Sequence, residues 1–157
     1  MTSSPKPQSP PPQNSTAQLD SVRKELTKLP MLGPVLWLYA RDPNRRFTFV
    51  SDLDWRLLPP LVLDQCCVFN KEEVPWAYFS WAKVSIEVDQ RLRSTTPIIA
   101  PHEWHSGEIA WLIDVVMPYG EDPDLLKQAI ARFAPGQLVN ALIYNTAGHL
   151  IMRQVQG

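Results

Sequence analysis

The run EIAWLIDVVMPYG, residues 108–120, constrains the fold of this chain more than any other stretch. From Ile109 to Val116 every residue but one is apolar. A run that is apolar on both faces fits a central strand, covered on both sides. Strand alternation puts Ile109, Trp111, Ile113 and Val115 on one face, and Ala110, Leu112, Asp114 and Val116 on the other. Asp114 is then a carboxylate in an apolar ladder. Burying it costs several kcal/mol unless it is paired and hydrogen-bonded. Burial also raises a carboxyl pKa, which is how enzymes prepare acids and bases. Asp114 is therefore the first candidate functional residue. The competing reading places it near a strand end, capping a loop or meeting an arginine.

The rest of the chain supplies partners for such a strand. Leu19, Val22, Leu26 and Leu29 fall at helical spacing, so residues 17–29 read as an amphipathic helical extension that Pro30 stops. Leu32, Val35, Leu36 and Tyr39 define a second helix, closed by Pro43, with Gly33 and Pro34 in its first turn. Residues 51–63 read as a short helix and then a kink at Pro59-Pro60. QCCVFNKEEVPWAYFSWAKVS reads as two strands around a polar turn at 70–73. Asp122-Pro123-Asp124 opens a helix with an N-cap, a first-turn proline and an acid near the positive end. Gly136 stops it. VNALIYN and HLIMRQV form a closing hairpin. Few strands are separated by helices, so the fold class is α+β, with a mostly antiparallel twisted sheet flanked by helices.

Composition narrows the function. Formal net charge is -1, which gives no field favouring nucleic acid. No apolar run is long enough to span a membrane. Cys66 and Cys67 are the only cysteines and are adjacent, which argues against a disulfide framework or a metal site and suits a reducing cytosol. Residues 1–16 are rich in Pro, Ser, Gln and Asn and read as a disordered tail without a secretory signal. Residues 30–157 form the folded domain. Six tryptophans are many for 157 residues. They serve as aromatic core, or some of them line an acyl-binding wall.

Three stretches carry a resemblance. GPVLWLYARDPNRR supplies Gly33, Trp37, Leu38 and Tyr39; VPWAYFSWAKVS supplies Pro75, Ala77, Tyr78, Ser80, Trp81 and Ala82. SGEIAWLIDVVMPYG supplies Ser106, Gly107, Trp111, Ile113 and Asp114, then Pro118, Tyr119 and Gly120. In order and spacing these resemble the RTX toxin-activating lysine acyltransferases, from about residue 32 onward. The resemblance implies a fold like the N-acetyltransferase (GNAT) superfamily, often dimeric, and a cytoplasmic location. It implies transfer of a fatty acyl group from acyl carrier protein, as co-substrate rather than a tightly bound cofactor, to internal lysines of an RTX-type protoxin. It also implies a catalytic pair, a histidine in the first motif and the aspartate in the third. Substrate contacts are expected at Arg46, Trp37, Trp81 and Trp111.

The sequence departs at the histidine. Arg45 stands at that position, followed by Arg46, and Asp42 stands where the family has serine. Arginine keeps its proton at physiological pH and cannot be a general base. Three readings follow. Asp114 works alone as base, or His102 or His105 approaches from the loop before the strand. Alternatively, the domain binds toxin or carrier protein without transfer, with Arg45 paired to Asp42, to Asp114 or to a phosphate. In the third reading, Arg45-Arg46 is a charged helix end, compatible with either of the others.

Overall fold

The computed structural model describes residues 15–94 and 97–157. Apart from Ser15 and Thr16, which are helical, the expected N-terminal tail lies outside the described residues. Helix α1, Ser15–Tyr39, is followed by a 3₁₀ turn, Val50–Asp52, and two short helices, α2 Leu53–Arg56 and α3 Leu58–Val62. Strands β1 Cys66–Lys71 and β2 Val74–Val84 form a hairpin, then come α4 Ile86–Leu92 and a long loop to β3 Ile109–Val116. Helix α5, Pro123–Ala131, leads to a second hairpin, β4 Leu138–Tyr144 and β5 Leu150–Gln156. The strands lie in sequence order in one five-stranded sheet. All neighbours are antiparallel except β3 and β4. The α+β expectation holds, and the architecture is consistent with a GNAT-like fold.

Local chemistry explains most boundaries. The Asp122 side chain accepts from Asp124 N at 3.0 Å and Leu125 N at 3.2 Å, so it caps α5 as its position suggested. Glu72 and Glu73 both have positive φ, 49° and 66°, the conformation of the tight hairpin turn that matches strand twist. Asp52 carboxylate oxygens take Phe49 N at 3.1 Å and Trp55 Nε1 at 3.1 Å, which fixes the start of the 3₁₀ turn.

Two expectations are corrected. First, Pro30 does not stop a helix: α1 runs through both Pro30 and Pro34. The carbonyls these prolines leave without an intrahelical donor belong to Leu26 and Pro30, both on exposed residues where water can serve them. The C-terminal end is held by Val35, Leu38 and Tyr39, all buried, while Leu36 points outward. The N-terminal stripe of Leu19, Val22, Leu26 and Leu29 remains 42–55% exposed.

Second, β3 does not alternate regularly. Ser80 faces Asp114, but Trp81 faces Leu112, so Ile113 is an extra residue in the ladder. This bulge breaks the period of two. Leu112 and Val115 pack with Phe79, Trp81 and Ile130 on the α5 side of the sheet. Trp111 and Ile113 pack with Val84 and Trp104 on the other side, and Val116 joins Tyr39 and Tyr78 there. The bulge turns Asp114 toward α1 and α2 rather than toward Leu112.

The parallel junction of β3 and β4 is short. It pairs Trp111 with Asn140 and Leu112 with Ala141. Beyond it the two strands part, and a cleft of about 570 Å³ opens between their C-terminal ends.

The Ser106-Gly107 motif has a structural cause. Ser106 N and Gly107 N both donate to Lys83 O, at 2.8 Å and 3.1 Å, so the loop is stitched to the end of β2. A Cβ on Gly107 would sit 2.4 Å from Val84 O, which is backbone and cannot step aside. We predict that Gly107→Ala destabilises the domain by about 2 kcal/mol or more. Urea unfolding checks this; an unchanged midpoint would show that the loop relaxes at no cost.

Candidate functional site

Asp114 is fully buried and saturated with donors. Oδ2 accepts from the Tyr39 hydroxyl of α1. Oδ1 is ion-paired with Arg45 and accepts from Arg56 Nη1 of α2 at 3.1 Å. Arg45 is itself 4% exposed. Its Nη1 donates to the Tyr144 hydroxyl at 3.2 Å, and its guanidinium lies 4.7 Å from the centre of the Tyr144 ring. Arg45 Nε is buried and has no hydrogen-bond partner. The site thus draws on α1, the loop after it, α2, β3 and β4.

Neighbouring groups are held neutral or charged by this arrangement. Burial, and then the Asp114 charge, push the Tyr39 hydroxyl well above the ordinary tyrosine range. Burial does the same to Tyr78. Both therefore keep their protons; Tyr39 donates to Asp114, and the Tyr78 hydroxyl is buried without a partner among the described residues. Burial alone would lower Arg56, but Asp114 together with Tyr39 and Tyr144 outweighs it and the pKa rises. Cys66 is pushed up to about 12 and Cys67 to about 11, in both cases chiefly by burial, so neither thiol is an activated nucleophile.

The other expected site residues divide. Of the partners offered for Arg45, Asp114 is the one it takes; Asp42 Oδ1 instead accepts from Asn44 N at 2.8 Å. Neither His102 nor His105 is among the partners of Asp114. Both are exposed, and His105 pairs with Lys83 and lines a separate pocket with Leu63, Gln65 and Trp81. Lys83 is three residues along β2 from Ser80, roughly 10 Å from the level of Asp114. Trp111 is 0% exposed and its Nε1 donates to Asp89 at 2.9 Å, so it belongs to the core. Trp81 is buried and stacks on Phe133 at 5.0 Å. Trp37 and Arg46 are at the surface. Arg41 covers the Trp37 ring at 3.1 Å, and Arg46 lies 5.3 Å from the Phe47 ring.

Sequence reasoning missed Tyr39 and Arg56 as members of the site. A signal existed for each. Tyr39 lay on the buried face of its helix, and Arg56 sat between Trp55 and Leu57 in an apolar run, where an arginine needs an anion.

Two clefts flank the Arg45–Asp114 pair. The larger lies between the parting strands, with Val115, Met117, Ile143 and Tyr144 on its walls. A smaller one, about 170 Å³, lies on the α1 side and is lined by Tyr39, Arg45, Phe49 and Leu53 among others.

Fold and site together define an α+β domain whose ion-paired carboxylate lies beside a cleft between diverging strands. The RTX toxin acyltransferase family (HlyC) matches residues 24–156. The RTX-II toxin-activating lysine-acyltransferase ApxIIC of Actinobacillus pleuropneumoniae is 33% identical over 103 residues, 66% of this chain and 64% of its own length. The protein-lysine myristoyltransferase HlyC of Escherichia coli is 30% identical over 122 residues, 78% of this chain and 71% of its own. The leukotoxin-activating lysine-acyltransferase LktC of Pasteurella haemolytica-like sp. (strain 5943B) is 32% identical over 97 residues, 62% of this chain and 59% of its own. The chain belongs to the RTX toxin acyltransferase family, and its matches span 59–71% of the length of these relatives.

Two predictions follow from the network. Asp114→Ala leaves two buried guanidiniums without their anion and is expected to cost about 3–5 kcal/mol. A urea midpoint within experimental error of wild type would show that the arginines escape to solvent. The second concerns pH. Cys66 has a folded pKa of about 12 against an ordinary 9.0, so its contribution is whole below pH 9.0 and is lost as pH rises toward 12. Cys67, Tyr39 and Tyr78 are raised as well and add to the same alkaline loss. Thermal midpoints should fall steadily above about pH 9; a flat profile up to about pH 11 would contradict this.

Proposed function

We propose that this protein is a protein-lysine fatty acyltransferase that takes its acyl group from acyl carrier protein and gives it to internal lysines of an RTX-type protein. The carrying observation is the Arg45–Asp114–Tyr39–Arg56 network, set between two clefts, in a chain of the RTX toxin acyltransferase family.

The larger cleft is the donor side. Strand edges freed where β3 and β4 part offer peptide groups to the amides of a carrier's prosthetic arm. The N-terminus of α5, nearby, is already filled by Asp122 and flanked by Glu121 and Asp124. It offers no anion site for a nucleotide, which favours a donor carried by a protein. No tightly bound cofactor is required. Among the described residues no helix is long and apolar enough to cross a membrane. A cytoplasmic location follows from the donor, because acylated carrier protein is made there.

The reaction joins the lysine nitrogen to the thioester carbon and breaks the carbon–sulfur bond. An ammonium must first give one proton to water, and the amine's second proton ends on the departing sulfur. Asp114 accepts from Tyr39 and Arg56, is ion-paired with Arg45 and is shut from solvent, so it is a positioning residue rather than the base. It holds Arg45, which keeps one buried N–H without an acceptor. An oxyanion at the thioester carbonyl is the kind of acceptor that group lacks. Tyr144, bonded to the same guanidinium, also lines the donor cleft.

One observation favours a second reading. Arg45 occupies the carboxylate and no histidine stands beside it. A relative that binds toxin or carrier protein without transfer would have this arrangement.

Intact mass of an RTX-type acceptor, incubated with this protein and acyl-loaded carrier, separates the two. Wild type is expected to add acyl mass, with a rate loss of about 100-fold or more in Asp114→Asn. If Arg45→His alone adds mass, the natural protein is a silent homologue. If neither adds mass but the acceptor or the carrier is retained in a pull-down, the binding reading stands.

A further inference from the structure

We infer that the small cleft over Arg45, walled by Leu36, Phe49, Val50 and Leu53, receives the acceptor lysine and presents it as a neutral amine, its exposed lip gripping an apolar, acidic-flanked acceptor segment. The inference rests on the acyltransfer reading and supplies what that reading lacks, a route to the free amine without a histidine.

The lip is conspicuous. Phe47, Phe49 and Val50 are 78%, 74% and 83% exposed, three large apolar side chains within four residues. They are not loosely held. Arg46 N bonds Asp42 O at 2.9 Å, Thr48 N bonds Arg45 O at 2.9 Å, and Phe49 N bonds Asp52 Oδ2 at 3.1 Å. A rigid, protruding apolar lip next to a site marks a surface that something covers. Arg46 at the cleft sets the charge of that partner: acidic residues beside the target lysine complement it.

Size agrees. The cleft holds about 170 Å³. That is room for one narrow, unbranched side chain. A long fatty chain belongs in the larger cleft, which has about 570 Å³.

The charges at the cleft's end decide the protonation state. Tyr39 and Arg45 form its floor, with Asp114, Arg56 and Tyr144 behind them. Two guanidiniums against one carboxylate leave a net positive charge, and Arg46 adds another at the wall. The Tyr39 hydroxyl is neutral. The Asp52 carboxylate is engaged by Phe49 N and Trp55 Nε1. A lysine entering this cleft loses water along apolar walls and meets like charge at its tip. Both effects lower its pKa, as they do for lysines that act as nucleophiles elsewhere. Its proton leaves through the open mouth to solvent. Arg45 thus replaces a base by making the ammonium unfavourable instead of accepting its proton.

The test is steady-state transfer from acyl-loaded carrier protein to the RTX-type acceptor. Val50→Glu and Phe49→Ser alter exposed side chains and leave the core packing alone. Each is expected to raise the acceptor KM about tenfold and leave the carrier KM within about twofold. Arg46→Glu is expected to move the acid limb of kcat up by about one pH unit. Unchanged acceptor KM, or a rise in carrier KM instead, overturns the assignment. If wild type transfers nothing, the acyltransfer reading is what fails. Calorimetric titration of the acceptor then still decides the cleft: equal affinity for wild type and Val50→Glu overturns it, and a loss of about tenfold supports it.

Discussion

One carboxylate organises this molecule. Asp114 sits with no solvent exposure in the middle of a sheet, a position that is tolerable only because three donors converge on it. Those donors come from α1, from the loop after it and from α2, which are otherwise linked to the sheet mainly by apolar packing. The ion network therefore sets where the N-terminal helices lie against β2 and β3. Through Arg45 it reaches Tyr144 at the end of β4 as well, so one polar cluster ties both halves of the sheet to the helical layer.

Much of the architecture was readable because it depends on near neighbours. Asp122 capping α5, the hairpin turn at Glu72-Glu73 and the closing hairpin each rest on a few consecutive residues. What was not readable depends on the partner strand or on tertiary support. The extra residue at Ile113 exists only relative to Ser80 and Trp81, and a period-2 count along β3 cannot see it. Nor does the sequence announce that α1 continues through Pro30, since the cost of two missing helical bonds is offset by anchoring of Val35, Leu38 and Tyr39 further along.

The site shows the same division. Asp114 stood out as a charge in an apolar strand, and Arg45 as a residue that could not do what its position implied. Their pairing followed once both were placed. Tyr39 and Arg56 went unnoticed because an aromatic residue on a helix face and an arginine beside a tryptophan each have an ordinary explanation. His105 drew notice as an ionisable group close in sequence to Asp114, but the loop carries it to the far end of β2. Closeness along the chain meant little there, because successive levels of a strand separate by more than three ångströms per residue.

The short parallel junction has a consequence for how the molecule assembles. Hairpins β1–β2 and β4–β5 close over small loops and can form early and independently. Joining them requires β4 to find β3 across the whole of α5 and its loops, in return for a ladder of two residue pairs and the packing of α5 and β4 on Phe79, Trp81 and Leu112. Docking of the C-terminal unit completes the sheet. Until it occurs, Tyr144 is missing from Arg45 and the larger cleft has only one wall. A chain arrested at that stage would hold most of its secondary structure and lack the cleft that β3 and β4 wall together.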